Sequence, residues 1–381
     1  NLYWDQTTIP SSIEFGTLTY ANNTFTKVNH VPVNVTATDN GVISALLIEL
    51  FDSSKARINS SSTTSSPNSA NFTGLADGVY YYNATINDTY NNRNSTTTRM
   101  ITLDTTPPNV STPVNPTNYG NFSGSIVLNV SINDVTTNVR NVIFNITNST
   151  GTQVRNISAS NAVGNFWNAT FNTALLADAI YNVTVYANDS ANNLNSSIIV
   201  QRITIDNTIP LISYGTGTEN SEVNFSRSNV YVNVSVTETN EANITFKLYN
   251  STSNVNTTTY STAIRTINVT GLADGTYTYN VTLVDLANNK NSTASRTITL
   301  DTFSPNVSTP VNPVSYGNYS GTIVLNVSIN DVTTNVSSVF FNITNSTGTQ
   351  VRNISASNIT HIYWNATFNT ALLADAIYNV T

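Results

Sequence analysis

The residues of this 381-residue chain whose spacing could do chemistry are amides and hydroxyls. Asn followed two places on by Ser or Thr, with anything but Pro between, is the acceptor pattern for N-glycosylation. It occurs about 35 times among about 62 Asn, about twice what random placement gives. Residues two apart share one face of a strand. Asn129 and Ser131 therefore both face solvent if Val130 is buried, and the same reading covers Asn145/Thr147, Asn168/Thr170, Asn182/Thr184, Asn233/Ser235 and Asn280/Thr282. The glycosylation candidates are Asn34, Asn83, Asn109, Asn121, Asn129, Asn145, Asn156, Asn168, Asn182, Asn233, Asn243, Asn268, Asn280, Asn306, Asn318, Asn326, Asn342, Asn353 and Asn365. The bland alternative is an uncharged surface whose Asn and Thr alternate by composition alone. The tract Ser60–Pro67 reads as an O-glycan acceptor or as a plain loop.

Catalytic chemistry is missing from the pattern. His30 and His361 are the two histidines, and the repeat described below puts Gly164 in the place of His361. There is no His-Glu-x-x-His, phosphate loop or nucleophile elbow. Isolated acids do not form repeated pairs suited to glycoside hydrolysis, and the absence of Cys removes thiolate chemistry. The expectation is a protein that is not an enzyme and carries no cofactor beyond covalent glycans. Asp104, Asp206 and Asp301 are calcium candidates by position. One carboxylate per place falls well short of the six to eight oxygens Ca²⁺ takes.

Charged residues make up 9% of the chain and the net charge is −7, with no basic patch for nucleic acid. No apolar run is long enough to span a membrane, and Asn1–Asp5 does not read as a signal peptide.

The elements that position these residues repeat. Asp104–Thr184 matches Asp301–Thr381 at an offset of 197 without gaps, with about 14 of 81 pairs differing. Gly74–Gly78 returns as Gly271–Gly275 at the same offset. A shared end-mark, Ile101–Asp104, Ile203–Asp206 and Ile298–Asp301, is followed by Pro107, Pro210 and Pro305. The division is therefore 1–5 as the tail of a preceding domain, 6–104 and 207–301 as one type, and 105–206 and 302–381 as a second type. The last copy is expected to lack its final strand, completed either by more of the same chain or by a neighbouring copy.

Period-two alternation predicts strands throughout. Ile126, Leu128, Val130 and Ile132 share one face, and so do Val142, Phe144 and Ile146, then Trp167, Ala169 and Phe171, then Tyr181, Val183 and Val185. Further strands are expected near 119–122, 153–157 and 198–205, about seven per domain. Trp167 and Trp364 alternate with Asn, which favours core packing over a sugar-binding surface. Leu75–Tyr80 resembles the tyrosine corner of immunoglobulin-like folds and recurs at Asp178–Tyr181, Asp274–Tyr277 and Asp375–Tyr378. The turns beginning at Asp88, Asp189 and Asp285 carry Asn pairs, which tolerate left-handed backbone.

The whole chain resembles the tandem immunoglobulin-like repeats of bacterial adhesins and archaeal surface-layer-type proteins. That resemblance implies an all-β rod of end-to-end immunoglobulin-like sandwiches on the cell surface. It implies a heavily N-glycosylated filament, stalk or surface layer whose partners are copies of itself and further domains of a longer chain. The alternatives are an adhesin stalk presenting a head elsewhere, or carbohydrate-binding modules of a secreted enzyme. The Lys–Asn isopeptide bonds of some related domains are excluded from the second and fourth domains, which have no Lys.

Overall fold

The computed structural model describes residues 12–195 and 199–381. The readings on Asn1–Asp5 and on Ile198 lie outside these residues. The chain divides into two compact units, 1–207 and 208–381. Each unit holds two β-sandwiches.

In the first sandwich, Ser12–Phe15, Val31–Thr38 and Asn68–Phe72 form one sheet. The facing sheet runs Thr24–Thr26, Arg99–Leu103, Gly78–Asp88, Ile43–Phe51 and Arg57–Thr63, and Arg93–Ser95 also pairs with Gly78–Asp88. Thr24–Thr26 lies parallel to Arg99–Leu103, while the other pairings are antiparallel. The third sandwich repeats the plan, from Leu211–Tyr214 to Arg296–Leu300. Half of the tract Ser60–Pro67, read as an O-glycan acceptor or a plain loop, is strand, and residues 64–67 form a bend. Ser60–Thr63 pairs with Leu46–Glu49, because strand pairing satisfies backbone groups that a loop leaves to water.

The second sandwich differs at one strand. Gln153–Val163 pairs with Val139–Asn148 along its first part and with Phe166–Asn172 along its last. It thereby joins both sheets into one eight-stranded path. In the fourth sandwich the same stretch splits into Gln350–Ser355 and Ser357–Thr360. Asn121–Phe122 pairs in parallel with Thr204–Ile205, and the last strand of the fourth sandwich is Tyr378–Val380.

The alternation sorts side chains as expected. Leu128, Val130 and Ile132 are buried, and four separate apolar cores form, one per sandwich. Trp364 lies inside its core, whereas Trp167 sits half-buried at the edge of its own. Two outward residues depart from the expected pattern. Asn145 is 4% exposed and Thr184 is 6% exposed. Asn145 stands on a central strand with Asn156 directly opposite on one side and Thr184 on the other, and these neighbours close over it.

The tyrosine corners are present in all four sandwiches. Tyr80, Tyr181, Tyr277 and Tyr378 donate their hydroxyls to the carbonyls of Ala76, Ala177, Ala273 and Ala374 at 2.8–3.0 Å. The turns after Asp88, Asp189 and Asp285 hold Asn91, Asn192 and Asn288 at positive φ. Each turn closes on its Asp, whose carboxylate accepts the backbone N–H and the side-chain amide of Asn92, Asn193 or Asn289.

Candidate functional site

The joint between the first two sandwiches is a densely bonded polar site. Strand Arg99–Leu103 ends at Asp104, whose N–H donates to Thr26 O of the first sandwich at 2.9 Å. Its carbonyl accepts Asn193 Nδ2 of the second sandwich at 2.7 Å, and its carboxylate accepts Thr137 Oγ1 at 2.6 Å. The next two residues are clamped backwards. Asp77, beside the tyrosine corner, accepts Thr105 N and Oγ1 on Oδ1 and Thr106 Oγ1 on Oδ2, all at 2.8–2.9 Å. Asn195 Nδ2 reaches Pro108 O at 2.6 Å. The connection is thus held from both sides through consecutive residues, with no free linker between.

The second unit repeats this chemistry. Asp301 N–H donates to Phe225 O, and the Asp301 carboxylate accepts Thr334 Oγ1 at 2.5 Å. Asp274 takes the N–H and hydroxyl of Thr302. Asp206 is buried at the end of Gln201–Ile205, its N–H on Phe122 O at 3.0 Å.

The expectation of one carboxylate at this place is corrected by the fold. Asp104, Asp134 and Asp189 each bring a carboxylate oxygen within 4.8 Å of the others. Asp134 comes from the loop after Ser125–Asn133, and Asp189 from the end of Ala179–Asp189. Chain order hid the meeting, because these residues lie 30 and 85 positions beyond Asp104. Three such oxygens remain fewer than Ca²⁺ takes, and each acid already accepts protein donors. Burial pushes the Asp104 carboxyl above its ordinary value, and the charges of Asp134 and Asp189 push the same way against the Thr137 hydroxyl. Asp331, the counterpart of Asp134, is held below its ordinary value, chiefly by the backbone N–H groups of Thr334 and Thr333. Burial would raise Asp77 and Asp88 too, but hydrogen bonds from Thr106 and Thr105, and from Asn92 and Tyr90, bring both below the ordinary value.

The glycan candidates lie on the outer faces, in three settings. Asn109, Asn156, Asn268, Asn306, Asn318 and Asn353 are exposed. Asn34, Asn83, Asn121, Asn129, Asn168, Asn182, Asn233, Asn243, Asn280, Asn326, Asn342 and Asn365 are half-buried. Asn145 alone is buried. Several join in cross-strand amide pairs: Asn129 Nδ2 donates to Asn168 Oδ1 at 2.6 Å, and Asn326 donates to Asn365 in the same way. A glycosyl bond replaces one of the two hydrogens on Nδ2, so a singly donating amide keeps its pair bond. Asn145 Nδ2 donates twice, to Gln153 Oε1 and Asn156 Oδ1, both at 2.7 Å. Asn145 is therefore corrected as a solvent-facing acceptor, since a glycan there would break one of those bonds.

The strand order is that of two-sheet modules with a short parallel edge strand and a tyrosine corner. The chain is built of tandem immunoglobulin-like β-sandwiches. No family model and no curated protein matches it. Among solved structures it is similar to the Clostridium thermocellum CbhA fibronectin(III)-like modules, at 14% identity and TM-score 0.31 over 51% of this chain and 95% of that one. It is also similar to the chicken CNTN1 FN1-FN3 domains, at 14% identity and TM-score 0.33 over 76% of this chain and 97% of that one.

Among the described residues no helix is long and apolar enough to cross a membrane.

Proposed function

We propose that the chain is a structural, non-enzymatic segment of an extracellular, N-glycosylated filament, stalk or surface layer whose partners are further copies of the same modules. The observation carrying this reading is the joint at Asp104, where residues 104–106 hydrogen-bond to sandwiches on both sides. A clamped joint transmits orientation from one module to the next, which a load-bearing array needs and a soluble enzyme does not. Added pairs then lengthen the array without new chemistry.

The glycan part of the reading is supported by the many acceptor Asn on outer faces that carry few charges. Strands with so little charge invite association, and glycans would block it. Electron microscopy of native material, with intact mass before and after deglycosylation, tests both parts. Ordered fibres or sheets and a mass that falls on deglycosylation are expected. Single flexible threads would move the reading to an adhesin stalk, and an unmodified mass would remove the glycans.

A further inference from the structure

The second sandwich carries a cavity of about 340 Å³ that the architectural role does not use. Trp167 forms part of its wall, and Asn133, Asn138, Asn161 and Asn165 stand around it. Its volume is within the range of small-ligand sites. The side chains of Asn133, Asn138 and Asn165 make no hydrogen bond among the described residues and are exposed. Each offers both a donor pair and an acceptor. The one charged side chain in the wall is Asp134, with the carboxylates of Asp104 and Asp189 close behind it.

This chemistry selects a ligand class. A pyranose has an apolar C–H face that suits an indole and hydroxyls that both donate and accept, as carboxamides do. An anionic ligand would meet a carboxylate and no cation in the wall.

Two further observations point to this place. None of the four amides lies in a glycosylation pattern, because Val135, Arg140, Val163 and Trp167 occupy the positions two residues on. All four escape glycosylation in a chain where more than half of the Asn are acceptors, and Asn161 Nδ2 also holds the rim turn by donating to Gly164 O at 2.9 Å. The near-identical fourth sandwich also changes here most. Of about 14 differences, five are consecutive, with Ala162–Phe166 becoming Ile359–Tyr363 at the rim. Gly164 and Asn165 become His361 and Ile362, and Trp364 is 5% exposed where Trp167 is half-buried. Two counterparts of the rim amides, Asn335 and Asn358, have become acceptors.

We propose that the cavity beside Trp167 binds a neutral saccharide unit, free or at the end of a glycan, and that the fourth sandwich no longer does. The proposal goes beyond the architectural reading and does not rest on it. A ligand of this size bound at one open pocket has affinity on the order of millimolar.

The test titrates the unglycosylated full chain with methyl glycosides of glucose, galactose, mannose and N-acetylglucosamine, and with glucuronate, reading saturation-transfer NMR and Trp fluorescence. The glycan released from native material is a separate arm. The double variant Gly164→His/Asn165→Ile installs residues that the fourth sandwich carries in the matching turn, where His361 also holds positive φ. It should therefore fold, with a melting temperature a few degrees lower for placing a side chain where Gly164 stands at φ 57°. Expected are saturable binding of at least one neutral sugar or of the released glycan, none of glucuronate, and a loss of about tenfold or more in the double variant and in Asn161→Ala. Binding to the methyl glycosides assigns a free sugar unit, and binding to the released glycan alone assigns a longer chain. No saturable binding in either arm, equal binding by glucuronate, or equal binding by the folded double variant would overturn the proposal.

Discussion

Replacing Thr137 by Val removes one hydroxyl and keeps the shape. In the native chain that hydroxyl donates to the Asp104 carboxylate at 2.6 Å across the first joint, where both groups are buried. A hydrogen bond to an ionised group contributes about 1.5–3 kcal/mol, and the buried acceptor finds no water in exchange. For a cooperative unit of about 200 residues this lowers the melting temperature by roughly 3–12 °C at pH 7.

The pH dependence fixes the mechanism. Burial, then the neighbouring acids, raise the folded-state value of Asp104 above 3.8. Ionised Asp104 therefore opposes folding, an effect complete above the folded-state value and relieved as pH falls towards 3.8. Thr137→Val raises the folded-state value further. The penalty of the variant relative to the parent should be full near pH 7 and shrink as Asp104 takes up its proton. The assay is far-UV circular dichroism melting of both proteins at pH 7 and near pH 4, with chelator present. A penalty under about 1 °C at pH 7, or one equally large near pH 4, would refute the role given to this bond.

Other expectations follow from the same geometry. Tyr181→Phe removes the bond to Ala177 O and should cost about 0.5–1.5 kcal/mol in urea unfolding. Asp88 and Asp77 have lowered folded-state values, so they contribute stability above 3.8 that is lost as pH falls through those values. Their Asn variants should narrow the difference in melting temperature between pH 7 and pH 3. Chelator alone should leave the melting temperature unchanged to within about 1 °C, since hydrogen bonds hold the joint. A larger drop restored by calcium would make Asp104, Asp134 and Asp189 ligands. Glycopeptide mapping of native material should find Asn156 and Asn353, which are exposed, occupied more fully than Asn145.

Much of this molecule was legible in the linear pattern. Alternation at Leu128, Val130 and Ile132 depends on the two-residue period of a strand, which holds whatever the strand packs against. The tyrosine corners were legible because donor and acceptor lie four residues apart. The turns at Asp88, Asp189 and Asp285 were legible because their bonds close within one loop. Local bonds leave local signatures.

What the pattern left open depends on distant segments. Asn145 has the same local sequence as any outward-facing acceptor, and only the strands on both sides show that it is covered. Asp134 carries no signal in its own loop, and only the fold sets it beside Asp104 and Asp189. Trp167 and Trp364 sit in matching strands with the same residues following them, and only the fold shows that one is half-buried and the other buried. Side-chain direction is a property of one strand and was determined by sequence alone. Covering, crowding of charge and cavity shape are properties of several segments at once, so only the tertiary structure could decide them.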